Sequence, residues 1–482
     1  MNMNLKELET VAKELLQYAE KQKDVKEAEA YVSTNNLNVY RIVYHSQIPS
    51  NGLEEPKSEE DFGMSVRILF KDGKYGMGSS DSSFSKEGFK EAFEKAVESK
   101  VMDKDFHSLP EARGKAKFSN YHDKKIIETD EEKAIQKAYE LLDGALDSFS
   151  KKKLNAGINI TGEMDLLSSK MAVASSKGIM ASDQHTNALA TLTSNIETKE
   201  GAAGSSFDSN THLSKLDCEK TGKDSMEMAL RMQKPEKMPS GEYRVVLSKN
   251  TVAELFYSRF SLGVDSIEFF ASPFVGRINQ KIGVPEFSVS DLPNEEGFIG
   301  SRAYNDEGNP AKNLKLVENG ELKTYLNNDY YYKKKKEYEK YAPLHGFRSG
   351  SHRSHGREPG IHSTNTVVKK GNYSDEELIK EVKNGIYVGR LWYTYPVNGY
   401  SSPDFTSTIR GNSYIIENGE IKCALTPNSM RVLDSFDNFM QSIIGIGKNP
   451  KPVQSWGQEE TIVTPEIALS KFRLQKISTG KN

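Results

Sequence analysis

Leu316-Val317-Glu318-Asn319-Gly320-Glu321-Leu322-Lys323 is echoed further along the chain by Ile415-Ile416-Glu417-Asn418-Gly419-Glu420-Ile421-Lys422. Each stretch is an apolar strand end, an Asn-Gly pair and the start of a second strand. Asparagine and glycine both tolerate positive φ, which the type I′ turn requires at its two central positions. The sequence therefore predicts two tight β-hairpins and a β-rich C-terminal half.

Working outward, residues 243–247 read as a strand and a helix follows from about 250 to 262. Two long irregular stretches, 269–300 and 329–364, interrupt the strands. Loops of that length inside a compact domain are uncommon and often functional. Upstream, Lys234-Pro235-Glu236-Lys237-Met238-Pro239-Ser240-Gly241 reads as a linker. Before it the pattern is helix (4–22), strands (28–33, 37–45), a hairpin closed by Asp72-Gly73, and a helix from Ser85 to about 100 with Phe89, Phe93 and Val97 inward. A helix (130–149), a meander (154–198) and a helix (213–233) repeat that order. The expectation is an α+β fold: an N-terminal α+β domain (1–233) of helix–antiparallel-strand repeats, divisible near 110–120, a linker (234–241), and a β-rich domain (242–482).

Bulk properties narrow the function. At 482 residues the chain exceeds one typical core. A net charge of −3 gives no pull toward nucleic acid or anionic membrane. Two distant cysteines, Cys218 and Cys423, support neither a disulfide framework nor a Cys-rich zinc site. The N-terminus lacks a signal-peptide core and no apolar run reaches bilayer length, so a cytoplasmic location is expected. The lysine runs 151–153 and 333–336 read as solvated faces, even though tyrosines interleave the second.

Asn305-Asp306-Glu307-Gly308-Asn309-Pro310, Ser363-Thr364-Asn365-Thr366, Gly385-Ile386-Tyr387-Val388 and the run 401–422 with its hairpin occur in an order that resembles the TldD/PmbA family. That family comprises intracellular metallopeptidases, once labelled modulators of DNA gyrase. The resemblance implies two related subunit types. The TldD type carries H-E-x-x-x-H on a helix, with a later cysteine as a further zinc ligand. The PmbA (TldE) type lacks that site and pairs with the first in peptide processing.

In this chain the corresponding helix reads Thr251-Val252-Ala253-Glu254-Leu255-Phe256-Tyr257-Ser258. Aligning the glutamate puts Ala253 and Ser258 at the histidine positions, and Trp456 near the cysteine. Glu254 is the general base only if the chain is active; otherwise Thr251-x-x-Glu254 reads as a capping box. His345, His352, His355 and His362 concentrate histidine in one Arg-rich loop. His352, His355, His362 and Asn365 are the expected lining of a peptide groove, with no metal held by this chain and zinc expected in a TldD-type partner. Three readings stay open. The chain is a non-catalytic PmbA/TldE-like subunit paired with a TldD-type metallopeptidase, an active metallopeptidase with ligands relocated to His352, His355 and Glu254, or a homodimeric peptide-binding protein.

Overall fold

The computed structural model describes residues 3–48, 52–118, 121–198, 201–348, 353–453 and 460–477. The architecture is α+β. The N-terminal half is built from α1 (Leu5–Glu20), β1 (Val25–His45), β2 (Lys57–Phe70), β3 (Tyr75–Ser80), α2 (Lys86–Glu98), α3 (Lys124–Ile127), α4 (Glu131–Ser150), β4 (Ile158–Ser175), β5 (Met180–Ile196), β6 (Ala202–Asn210) and α5 (Cys218–Arg231). Apart from the single turn α3, this is helix, three strands, helix, given twice. The two triplets do not make separate bodies. They join at β1 and β4 into one six-stranded antiparallel sheet of order β3-β2-β1-β4-β5-β6.

Side chains alternate across that sheet because a strand has a period of two. The even-numbered positions of β1, such as Ala28, Ala30, Val32, Tyr40 and Ile42, are buried under the helices. In α2 that contact is made by Phe89, Ala92 and Ala96, whereas Val97, expected inward, is exposed. The odd positions carry polar groups: Glu29, Ser33 and Asn35 on β1, Arg67 on β2, Asp183 and His185 on β5. These are also buried, against the C-terminal half. The sequence pattern broke β1 into two runs around Thr34-Asn35-Asn36, but the strand runs through. The Asn35 side chain donates to the Arg353 carbonyl at 3.0 Å and accepts from Ser169 Oγ at 2.6 Å.

The C-terminal half contains β7 (Gly241–Leu247), α6 (Lys249–Arg259), β8 (Val289–Asp291), β9 (Leu314–Glu318), β10 (Glu321–Leu322), β11 (Gly346–Phe347), β12 (Gly360–Ile361), β13 (Asn365–Val368), β14 (Gly385–Val388), β15 (Leu391–Pro396), β16 (Asp404–Ile409), β17 (Tyr414–Glu417), β18 (Glu420–Ala424), β19 (Met430–Ser435), β20 (Ile443–Ile446), β21 (Lys451–Val453), β22 (Thr461–Thr464) and β23 (Ile467–Lys476). One sheet runs β10-β9-β8-β13-β22-β21, and a larger one runs β15-β16-β19-β23-β7-β14-β17-β18 with β20 beside β23. Helix α6 touches β7 and β15 of the larger sheet and β21 and β22 of the smaller. Phe256 on α6 anchors an aromatic cluster, its ring edge-on to Phe436 at 5.7 Å between centroids.

Both Asn-Gly pairs form the expected turns. Asn319 and Gly320 have φ of 49° and 79°, and Asn418 and Gly419 have 54° and 79°. The expected linker is not a free tether, since Glu236 pairs in parallel with Leu425. The lysine run 333–336 is partly anchored rather than wholly solvated: Lys333 Nζ sits 2.6 Å from Asp329 and 2.7 Å from the Leu109 carbonyl.

Candidate functional site

Helix α6 begins earlier than its sequence suggested. Ser248 is the N-cap, its hydroxyl accepting from the Thr251 amide at 3.2 Å. Thr251 is therefore three residues inside, and its own hydroxyl donates to the Val388 carbonyl at 2.8 Å. Ser248-x-x-Thr251 has the same spacing as the capping box read at Thr251-x-x-Glu254, and it displaces that box by one turn. Glu254 lies mid-helix and half-buried, and its negative charge reaches Arg390. Ala253 is 1% exposed. Ser258 donates its hydroxyl to the Thr394 carbonyl on β15 at 3.0 Å.

Beside this helix stand two arginines that the sequence did not single out. Arg390 and Arg410 flank the paired ends of β15 and β16, with the Arg410 amide bonded to the Arg390 carbonyl at 2.9 Å. Both guanidinium groups lie over the Trp392 ring, at 5.5 and 5.4 Å from its centroid. Burial and the like charge of Arg410 lower the pKa of Arg390. Together they line a cleft of about 370 Å³ between the two halves. No local spacing announces the pair, because strand pairing, not sequence proximity, brings them together.

The His/Arg loop does not behave as one surface. His345 is 1% exposed and bonded through Nε2 to Asp291 at 3.0 Å, and Asp291 also accepts from the Thr364 amide and hydroxyl. Arg348 and Arg353 cross the seam into the polar face of the N-terminal sheet. Arg348 donates to Glu29 at 3.2 Å, and Glu29 is held bidentately by Arg67 at 2.6 and 2.8 Å. Arg353 bonds Asp183 at 2.5 Å and also bonds Asp306. These two arginines of the Arg-rich loop are neutralised inside the protein. His355 is wedged against β2 so closely that a Cβ on Gly63 would lie 2.3 Å from its ring, and burial pushes its imidazole pKa down. His362 remains half-exposed, 3.3 Å from Glu460. Asn365, expected to line a groove, is fully buried; its amide receives the Gly300 N–H at 3.0 Å and donates to the Leu292 carbonyl at 2.8 Å. It fastens the loop from within the fold. His352 and Trp456 lie outside the described residues.

Known proteins resemble this arrangement. The family described as PmbA/TldA metallopeptidase C-terminal domain matches residues 240–476, and its domain 1 matches residues 50–100. The chain belongs to the TldD/PmbA family. A metalloprotease of Methanocaldococcus jannaschii is 28% identical over 40% of this chain and 41% of its own length. A protein of Saccharolobus solfataricus described as a zinc metalloprotease TldD homolog is 30% identical over 38% of this chain and 39% of its own. The chain thus matches less than half the length of either relative. The solved structure of TldE from Thermococcus kodakarensis shares the fold, with a TM-score of 0.83 at 20% identity over 96% of this chain and all of that one.

The TldD/PmbA family includes zinc enzymes, so α6 can be tested as a zinc helix. The donor set does not fit. Ala253 offers a methyl group, and the Ser258 hydroxyl is committed to a backbone carbonyl. Zinc requires imidazole, thiolate or carboxylate donors converging at about 2.0–2.3 Å. Among the described residues no group of three or more His, Cys, Asp or Glu is placed to hold a metal ion. Likewise, no described helix is long and apolar enough to cross a membrane.

Proposed function

We propose that this chain is the non-catalytic, PmbA/TldE-like subunit of a cytoplasmic peptide-processing pair, and that a TldD-type partner carries the zinc and the hydrolytic step. The observation that carries this reading is α6, where Ala253 and Ser258 stand at the histidine positions on an intact scaffold. Glu254 without a metal-bound water has nothing to deprotonate. The relocated-ligand alternative draws no support from His355, which is packed against Gly63.

The chain's own role is to hold peptide. Strand β15 is an edge of the larger sheet, packs on α6, and exposes Tyr393 and Tyr395. An edge strand presents unpaired amides and carbonyls, and an extended peptide adds to it through main-chain bonds that need no catalytic side chain. Of the expected groove residues, His362 keeps an accessible face beside Glu460. The test is metal analysis and peptide cleavage by the purified chain, alone and with a TldD-type protein from the same genome. The expected result is no tight zinc and no cleavage alone, with a stable complex of defined native mass when mixed. One tightly bound zinc and cleavage by the lone chain would falsify the reading.

A further inference from the structure

The cleft beside α6 has a wall chemistry that β-strand addition leaves unused. Its apolar side is formed by Ile196, Ala202 and Met232 from the N-terminal half and Pro427 from the C-terminal half. Its charged side is Arg390 and Arg410. Like charges opposite each other at the paired ends of β15 and β16 repel, so this pair costs stability unless something offsets it. Among the described residues neither guanidinium forms an ion pair. Arg410 donates only to the Asn428 amide oxygen, at 2.7 Å, and Arg390 feels Glu254 at longer range. Cation–π contact with Trp392, at 5.5 and 5.4 Å from the ring centroid, draws both guanidinium groups to the same indole and leaves their N–H donors for use elsewhere. Two fixed guanidinium groups beside an apolar wall match an anion attached to an apolar body. A volume of about 370 Å³ holds one residue, not a folded partner.

We propose that this cleft binds the free C-terminal carboxylate of a peptide, with Arg390 and Arg410 on the carboxylate and the last side chain against the Ile196–Met232 wall. The proposal rests on the peptide-holding role described above and gives that role an end-specific anchor. It implies that peptides are held by their C-termini, so blocking that end matters more than changing the interior sequence.

The test is calorimetric titration of the full chain with Ala-Ala-Ala-Leu as the free acid, the same peptide as its C-terminal amide, and inorganic phosphate. The free acid is expected to bind about tenfold or more tightly than the amide, as loss of a charge-assisted bond predicts. Arg410→Gln and Arg390→Gln, each checked for unchanged thermal unfolding, are expected to abolish the preference, and phosphate is expected to bind more weakly than the acid. Equal binding of acid and amide overturns the carboxylate site and leaves the peptide-holding role standing. Binding of neither peptide overturns both. Phosphate binding as tightly as the acid, or an acid preference that survives both substitutions, overturns the assignment of this cleft.

Discussion

Arg348 and Arg353 in the seam between the halves, and Arg390 and Arg410 in the cleft, are the same residue type put to opposite uses. The first two are 1% and 0% exposed, and each has a carboxylate from the N-terminal sheet within hydrogen-bond distance. The second two are half-buried, lie over one indole at cation–π distance, and are unpaired with any carboxylate at ion-pair range among the described residues. Removing a charge from water is costly, and the cost is recovered only with a matched partner. Where the partner is internal, the arginine belongs to the fold. Where none is supplied, the arginine is available to a ligand. The difference separates the seam that joins the halves from the cleft that opens beside it.

The largest effect is expected from breaking the internal pair. Arg353→Met leaves Asp183 and Asp306 buried without their cation, which should cost about 3–5 kcal/mol in chemical denaturation. A loss below about 1 kcal/mol would mean that water or rearrangement compensates, and the contrast between the two arginine pairs would collapse.

The twin turns give the next comparison. Gly320 and Gly419 share a φ of 79°, so alanine is strained at both. A Cβ at 320 would also lie 2.3 Å from the Gly283 carbonyl oxygen, whereas at 419 the nearest atom is 3.2 Å away. Gly320→Ala should therefore destabilise by about 2–3 kcal/mol and Gly419→Ala by about 1 kcal/mol. Equal losses would show that backbone conformation alone sets the cost.

The seam also predicts a pH dependence. Burial, and then the neighbouring Asp329, push the Glu307 pKa up to about 8. The folded protein thus holds a proton that the unfolded chain releases near pH 4.5. Stability from this group is present below pH 4.5 and is lost as pH rises toward 8. Glu307→Gln keeps an acceptor for the Asp329 amide without the charge. Its melting temperature should fall less than the parent's between pH 6 and 9, by the equivalent of about 1–2 kcal/mol. Parallel pH profiles would rule the group out.

The smallest stability effect is expected in the cleft. Arg410→Gln gives up one bond to Asn428 and relieves repulsion with Arg390, so unfolding should change by less than about 0.5 kcal/mol. A large loss would make this pair structural, like the other.

The parts of the fold governed by neighbouring residues were legible in the sequence. Asn319-Gly320 and Asn418-Gly419 specify their turns because both residues accept positive φ, and the α+β order followed from periodicity. Where two local signals competed, the reading slipped: Ser248-x-x-Thr251 outranked Thr251-x-x-Glu254 because the strand before α6 ends at Leu247 and frees Ser248 to cap. The sequence read the polar stretch in β1 as a break between two strands, and the Arg-rich loop as the lining of a groove. Each is the other's partner across the seam, as in Asn35 with Arg353, and a single segment does not show what will neutralise it.

The sequence by itself determined the hairpins, the helix-and-strand repeats, the family resemblance, and the alanine and serine on α6 where a zinc helix would carry imidazoles. Those are properties of residue identity and short spacing. Only the tertiary structure decided which charges are spent inside the molecule and which remain for a ligand. That outcome depends on pairing between strands and halves far apart in the chain, and burial makes an ion's worth depend on the partner it meets.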